Sequence, residues 1–270
     1  MQSFRIAGVA LGLMIALTAG QARAGTIDVL WYNGVSGAVE TDQADQVAAE
    51  NLLATPGIGD SSSASWNISH WYDGAAKPGG DFKVLVIGSR SGVASGSLLA
   101  ALPAFGNRIF VTGQDADYHL AFGPGADDFN GPRGLLRNAI NWAAAGAGLG
   151  VVVLSPGEGS VSLAELGIAG ITNDIGFTDK VTIPDALAAY PVNAGLTSSG
   201  LSGWTTSSHD KWANLTAAWT GISTDSRGRF ITLVSHDEAA GSIAGTSVPE
   251  PASALLVGVG LLALMRRRRA

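Results

Sequence analysis

Four histidines and scattered acids carry the side-chain chemistry open to this sequence, which contains no cysteine. Thiol nucleophiles, thiolate metal ligands and disulfides are therefore excluded. The densest polar group is Gly113-Gln-Asp-Ala-Asp-Tyr-His119. Asp115, Asp117 and His119, at alternate positions, offer oxygen and nitrogen ligands to a divalent cation. The same residues also suit a hydrogen-bonded turn in which aspartate caps neighbouring amides. His209-Asp210 and His236-Asp237-Glu238 are the other clusters, and a histidine beside an acid can act as a general base or simply form a surface pair. The catalytic candidates are thus His236, His209 and Asp115. His70, between Trp66 and Trp71, fits packing or, where exposed, a platform for stacking a sugar.

These residues need a frame, and the chain between its two ends alternates apolar, β-rich runs with helical periodicity, an α/β pattern. Thr26–Tyr32, Phe82–Ile87, Arg108–Thr112, Gly150–Leu154 and Arg229–Val234 read as strands. Helical spacing predicts a helix over Glu40–Leu53 with Ala44, Val47, Ala48, Asn51 and Leu52 on its packed face. A second, short helix is predicted over Ser97–Phe105. A third begins at Pro132, a residue suited to a first turn, with Leu135, Leu136, Ala139, Ile140 and Ala143 on one face. The pattern weakens through a Gly- and Thr-rich stretch to about Thr206. Parallel strands gather ligands beyond their carboxyl ends. Those ends are Asn33-Gly34, Gly88-Ser89-Arg90, Gly113-Gln114-Asp115 and Ser155-Pro156-Gly157, so Asn33, Ser89, Arg90 and Gln114 are the ligand-binding candidates. The competing view is that these glycines only close tight turns.

The ends of the chain are of a different kind. Residues 1–24 join Arg5, an apolar stretch from Ile6 to Ala19 and a small-x-small site at Ala22-Arg-Ala24, as expected of a secretory signal peptide and hence of passage through Sec export machinery. At the other end, Val248-Pro-Glu-Pro251 precedes the uncharged run 252–265 and then Arg266, Arg267, Arg268 and Arg269. Those 14 residues would rise about 21 Å as a helix. Four arginines hold such an end on the cytoplasmic side of the inner membrane. The order Pro249-Glu250-Pro251, apolar span, arginine cluster resembles the PEP-CTERM sorting signal. The resemblance implies recognition by an exosortase, removal of the tail, and delivery to the cell surface or extracellular matrix. Residues 239–247 read as a flexible stalk. This leaves a domain over 25–238. Of 16 Lys and Arg and 22 acids, six and one lie in the two ends, so residues 25–247 carry a formal charge of −11. That balance excludes a nucleic-acid partner that binds through phosphates.

A second resemblance lies inside the domain. Gly228-Arg-Phe-Ile-Thr-Leu-Val-Ser-His-Asp-Glu-Ala239 is similar to the closing strand and histidine turn of ThuA-like proteins, a branch of the class I glutamine amidotransferase-like fold. Pro191-Val-Asn-Ala-Gly-Leu196, with Trp204 and His209 after it, is similar to the segment before it. The resemblance implies a three-layer, flavodoxin-like domain with a mostly parallel sheet, and gives His236 the position of the family's base. The family's cysteine would fall near Thr112-Gly113-Gln114 and is missing, so glutamine amidotransfer is chemically excluded. Two functions stay open. One is an exported surface protein that binds exopolysaccharide, another carbohydrate or a small ligand. The other is an extracytoplasmic enzyme acting on a sugar-like substrate through its Asp/His rim, with a divalent cation as an optional helper.

Overall fold

The computed structural model describes residues 26–34, 41–54, 64–72, 74–89, 102–122, 130–155, 163–164 and 166–235. The expected signal peptide, stalk, sorting tail and apolar span 252–265 lie outside the described residues, as do Arg90, His236 and residues 97–101 of the helix expected over Ser97–Phe105, whose described part, 102–105, is not helical. Among the described residues no helix is long and apolar enough to cross a membrane.

Runs of β-branched and apolar residues form a parallel half-sheet from β1 (Ile27–Tyr32), β2 (Trp66–Trp71), β3 (Val84–Ile87), β4 (Phe105–Thr112) and β5 (Leu149–Leu154). Beyond β4 the sheet turns antiparallel through β6 (Thr172–Thr178), β7 (Ser208–Ala213), β8 (Trp219–Thr224) and β9 (Phe230–Ser235). The spatial order is β2-β1-β3-β5-β4-β9-β7-β6, with β8 pairing β9. The result is a mixed α/β fold around one central sheet. It begins 2-1-3, as flavodoxin-like sheets do, but then places β5 inside β4 and adds a large antiparallel wing. Phe105 opens β4 rather than closing a helix.

Alternation along the strands divides the core in two. Val29, Trp31, Val84, Val86, Phe110, Val152 and Leu154 face one way and pack with Leu53, Ala116 and Leu120, and with Leu135, Leu136, Ala139 and Ile140. The helices α1 (Thr41–Leu52), α2 (Ala116–Phe122) and α3 (Pro132–Ala144) therefore cover this face. Leu30, Tyr32, Leu85, Ile87, Val111, Val151 and Val153 face the other way, against Leu163, Leu166, Ile168, Trp212 and Trp219. No residue of the described helices joins that second core.

A buried arginine on α3 fastens α1 to the sheet. Arg137 donates from Nη1 to the carbonyl of Leu53 and from Nη2 to that of Ala64 at 2.8 Å. Its guanidinium also lies 4.5 Å from the Trp66 ring centre. These contacts fix the rotation of α1, and that rotation is not the expected one. Gln46, Glu50 and Leu53 are buried, while Leu52 is 67% exposed and Ala48 and Asn51 face outward. The helix turns a polar stripe inward because Asp117 and His70 offer that stripe polar partners.

Candidate site at the carboxyl ends of the parallel strands

β4 ends at Thr112, and the turn after it is shaped by a close approach. A Cβ on Gly113 would lie 2.0 Å from the carbonyl oxygen of Asp210. Only glycine lets β7 come this near, and the contact is sealed by His209 N–H donating to the Gly113 carbonyl at 2.7 Å. The chain then enters α2 at once, with the His119 amide donating to the Asp115 carbonyl at 3.1 Å. Helical spacing places His119 one turn above Asp115, on the same face.

Together these two features bring Asp115 between two imidazoles. His119 Nε2 lies 3.3 Å from Asp115 Oδ1, and His209 Nε2 lies 3.2 Å from Oδ2. Burial alone would push the Asp115 carboxyl up, but the two histidines outweigh it and hold the group at about 2. Asp115 is thus a carboxylate at any physiological pH. His119 is buried between Tyr118 and Trp204, with ring centroids 5.3 Å away on each side. His209 is partly open, its side chain 27% exposed. Edge-on to it stands Phe177, 58% exposed, with centroids 5.2 Å apart at 82°. Phe177 is thrown outward by an irregularity in the β6–β7 pairing between Ile175 and Thr178. Lys211 fixes it there, its ammonium donating to the Phe177 carbonyl at 3.2 Å.

The expected partner of His209 is not its neighbour in sequence. Adjacent residues of a strand point to opposite faces, so Asp210 turns away to accept from Ser155 Oγ at 3.3 Å and from Asn173 Nδ2 at 3.0 Å. The expected metal set is likewise divided. Because residues 116–122 are helical, Asp117 faces away from the Asp115–His119 side, toward α1 and β3. Among the described residues no three His, Asp or Glu side chains converge as a metal site. Gln114 is fully buried, with Nε2 donating to the Leu201 carbonyl at 3.2 Å, which removes it from any rim.

Asp117 belongs to a second cluster, beneath α1. Its Oδ2 accepts from Gln46 Nε2 at 2.9 Å and from the Ser89 amide at 2.8 Å. Gln46 Nε2 also approaches Glu50 Oε1 at 3.2 Å, so one amide bridges two buried acids. Burial, and then the nearby Asp117 charge, push Glu50 well above its ordinary value, and burial raises Asp117 as well. Glu50 Oε2 stands 3.5 Å from His70 Nδ1, which pairs with Asn33 Nδ2 at 3.1 Å, while His70 Nε2 pairs with Asn51 Oδ1 at 3.0 Å. Burial lowers His70 to about 4, so it is neutral at pH 7. Of the expected ligand-binding residues, Asn33 and Ser89 join this cluster. Gln46, Glu50 and His70 were not among the expected site residues. The i, i+4 spacing of Gln46 and Glu50 was the available signal, but polar residues on a helix normally read as its solvent face.

Comparison with known proteins adds one fact about the C-terminus. Residues 247–269 match the family model of the PEP-CTERM protein-sorting motif. The tail is a PEP-CTERM sorting signal. It marks an exported chain that is anchored transiently at the membrane and processed by an exosortase. The match ends at the tail, so the ThuA-like resemblance of the α/β domain rests on the residues that carry it. No curated protein and no solved structure matches the chain.

Proposed function

We propose that this exported protein uses its ThuA-like α/β domain to bind carbohydrate at the cell surface or in the matrix, on the rim formed by Asp115, His209 and Phe177. The observation that carries the reading is an exposed aromatic ring edge-on to a histidine that is backed by a buried carboxylate. A pyranose presents an apolar face suited to stacking on Phe177 and hydroxyls suited to pairing with an imidazole. The sorting tail supports the setting, because it marks the chain for export, and exopolysaccharides lie outside the cell. Titration calorimetry of the full chain against purified exopolysaccharide and a glycan panel tests the proposal. Phe177→Ala is expected to weaken binding about ten-fold or more with the fold intact. Undiminished binding by that variant would reject the rim as the site.

One distance favours a second reading. Asp115 lies 3.2 Å from His209, the arrangement that orients a general base and stabilises its protonated form. The domain would then hydrolyse or rearrange a sugar-like substrate, with His209 taking the proton and His236 a further candidate. Turnover that is lost in His209→Ala, while glycan affinity persists, would select this reading over simple binding.

A further inference from the structure

Five tryptophan indoles have a hydrogen-bond acceptor for their N–H. Trp66 donates to Asn141 Oδ1, Trp71 to the Ala75 carbonyl, Trp204 to that of Gly200, Trp212 to that of Ile231, and Trp219 to that of Ala169. Trp31 is fully buried, and its Nε1 has no hydrogen-bond partner among the described residues. Leaving a buried donor unmade forfeits its hydration with nothing in return, so such a group calls for an explanation. Two acceptors in the same neighbourhood share the condition. Gln46 Oε1 and Asp117 Oδ1 are buried and lack partners among the described residues.

Gly88 brings the edge of this cluster to one point. A Cβ on residue 88 would stand 3.2 Å from Trp31 Nε1, 3.1 Å from Asp117 Oδ2 and 3.3 Å from Asn33 Oδ1. Because residue 88 has no side chain, the unpartnered Trp31 Nε1 borders the space above its Cα together with Asn33 Oδ1 and with Asp117 Oδ2, which already accepts from Gln46 and the Ser89 amide. The place is the junction of β1 and β3, where the strand order reverses: β2 lies to one side of this pair and β5 to the other. Ligands of open α/β sheets collect at such a switch point. The inward rotation of α1 supplies Gln46 and Glu50 to the same place, leaving Leu52 outside.

We propose that the space over Gly88, bounded by Trp31, Asn33, Gln46, Glu50 and Asp117, is a recognition subsite for one hydroxyl group of a neutral, polyhydroxylated small molecule. The chemistry of the unpartnered atoms selects the guest. It must accept from Trp31 Nε1 and donate to a carboxyl or amide oxygen, and a hydroxyl does both. An ammonium group cannot accept from the indole. A carboxylate or a fully ionised phosphate cannot donate, and would leave the buried Gln46 amide oxygen unpaired. Burial favours the neutral form of both acids, which suits an uncharged guest. The inference rests on the carbohydrate reading of the domain for its ligand class. It concerns residues other than the Asp115–His209–Phe177 rim.

The test is a nitrogen-15 NMR titration of the full chain, following the Trp31 indole signal, assigned from its loss in Trp31→Phe. The probes are methyl α-D-glucopyranoside and glycerol, with methylammonium and acetate as charged controls. The expected result is a saturable shift of the Trp31 signal with at least one hydroxylated probe and none with either control. Gly88→Ala, whose methyl group enters the convergence point, is expected to weaken that response at least ten-fold while the Trp204, Trp212 and Trp219 signals stay in place. Should that variant not fold, Gln46→Leu tests the same point by removing an acceptor. An unmoved Trp31 signal, an equal response to methylammonium or acetate, or an undiminished response in a folded Gly88→Ala would each overturn the subsite. A Trp31 response with glycan affinity unchanged in Phe177→Ala would uphold the subsite and overturn the rim. Loss of glycan affinity in Phe177→Ala with Trp31 unmoved would do the reverse.

Discussion

Asp115 and Asp117 stand two residues apart, and their surroundings drive them in opposite directions. Asp115 meets two histidines and stays ionised, whereas Asp117 meets an amide, a backbone N–H and burial. Environments that separate two carboxyls in this way mark sites where proton position matters. For Asp115 the folded value of about 2 lies below the ordinary value of 3.8. Its contribution is therefore complete above that ordinary value and is lost as pH falls toward 2, at about 2 kcal/mol in total. Asp115→Asn should lower stability at pH 7 by about that amount, and urea melts at pH 7 and pH 2.5 should show the deficit narrowing in acid. Glu50 has the opposite sign. Its folded value is raised, so the unfolded chain gives up its proton first as pH climbs past 4.5, and stability falls from there upward. Glu50→Gln keeps the oxygen that Gln46 approaches and removes the titration. Its melting temperature should exceed that of the wild type at pH 7–8 and converge with it near pH 4.

Elements set these environments by small choices of rotation and register. The inward polar stripe of α1 depends on Arg137, which ties Leu53 and Ala64 to α3. Arg137→Leu leaves two buried carbonyls without their donor and should cost about 3 kcal/mol in chemical denaturation. It should also change the hydrogen-exchange protection of α1 more than that of β5, because α1 loses its anchor and β5 does not. The β4–α2 turn depends on Gly113 in a comparable way. Gly113→Ala puts a methyl group 2.0 Å from the Asp210 carbonyl, so β7 must shift and carry His209 away from Asp115. The expected reading is a loss of about 1–3 kcal/mol together with a rise in the pH at which the Asp115 carboxyl titrates. A folded variant with unchanged Asp115 titration would show that the turn does not set the pairing.

At the scale of the whole molecule, the sorting signal and the described domain are separate parts. The sorting motif occupies residues 247–269, and the described domain ends at Ser235. Replacing Pro249-Glu250-Pro251 by alanines should abolish processing. The product would keep the mass of its tail and stay with the membrane fraction, while the domain's melting temperature remains unchanged. The formal charge of −11 over residues 25–247 also has a consequence at this scale. Any affinity for a negatively charged exopolysaccharide should strengthen as salt rises, through screening, unlike that for a neutral glycan.

Sequence alone determined the parts whose signal is local. The Pro-Glu-Pro tail with its arginines is read in consecutive residues, and so are the apolar strands β1, β3 and β5 and the proline-started helix α3, because periodicity and charge order need no partner. The exclusion of thiol chemistry is equally direct, since no folding supplies a missing cysteine. Tertiary structure decided the rest. The antiparallel wing from β6 to β8 carries too few apolar residues in sequence to announce its strands, and gains them by pairing. His209 and Asp115 are 94 positions apart and meet only because Gly113 admits β7. Asp117 seemed to belong with Asp115 and His119 on alternation, but the helical twist of residues 116–122 sends it to Gln46 and Glu50. The rotation of α1 ran against its own apolar face, since a pattern of side chains cannot report which buried acid or arginine waits on the other side.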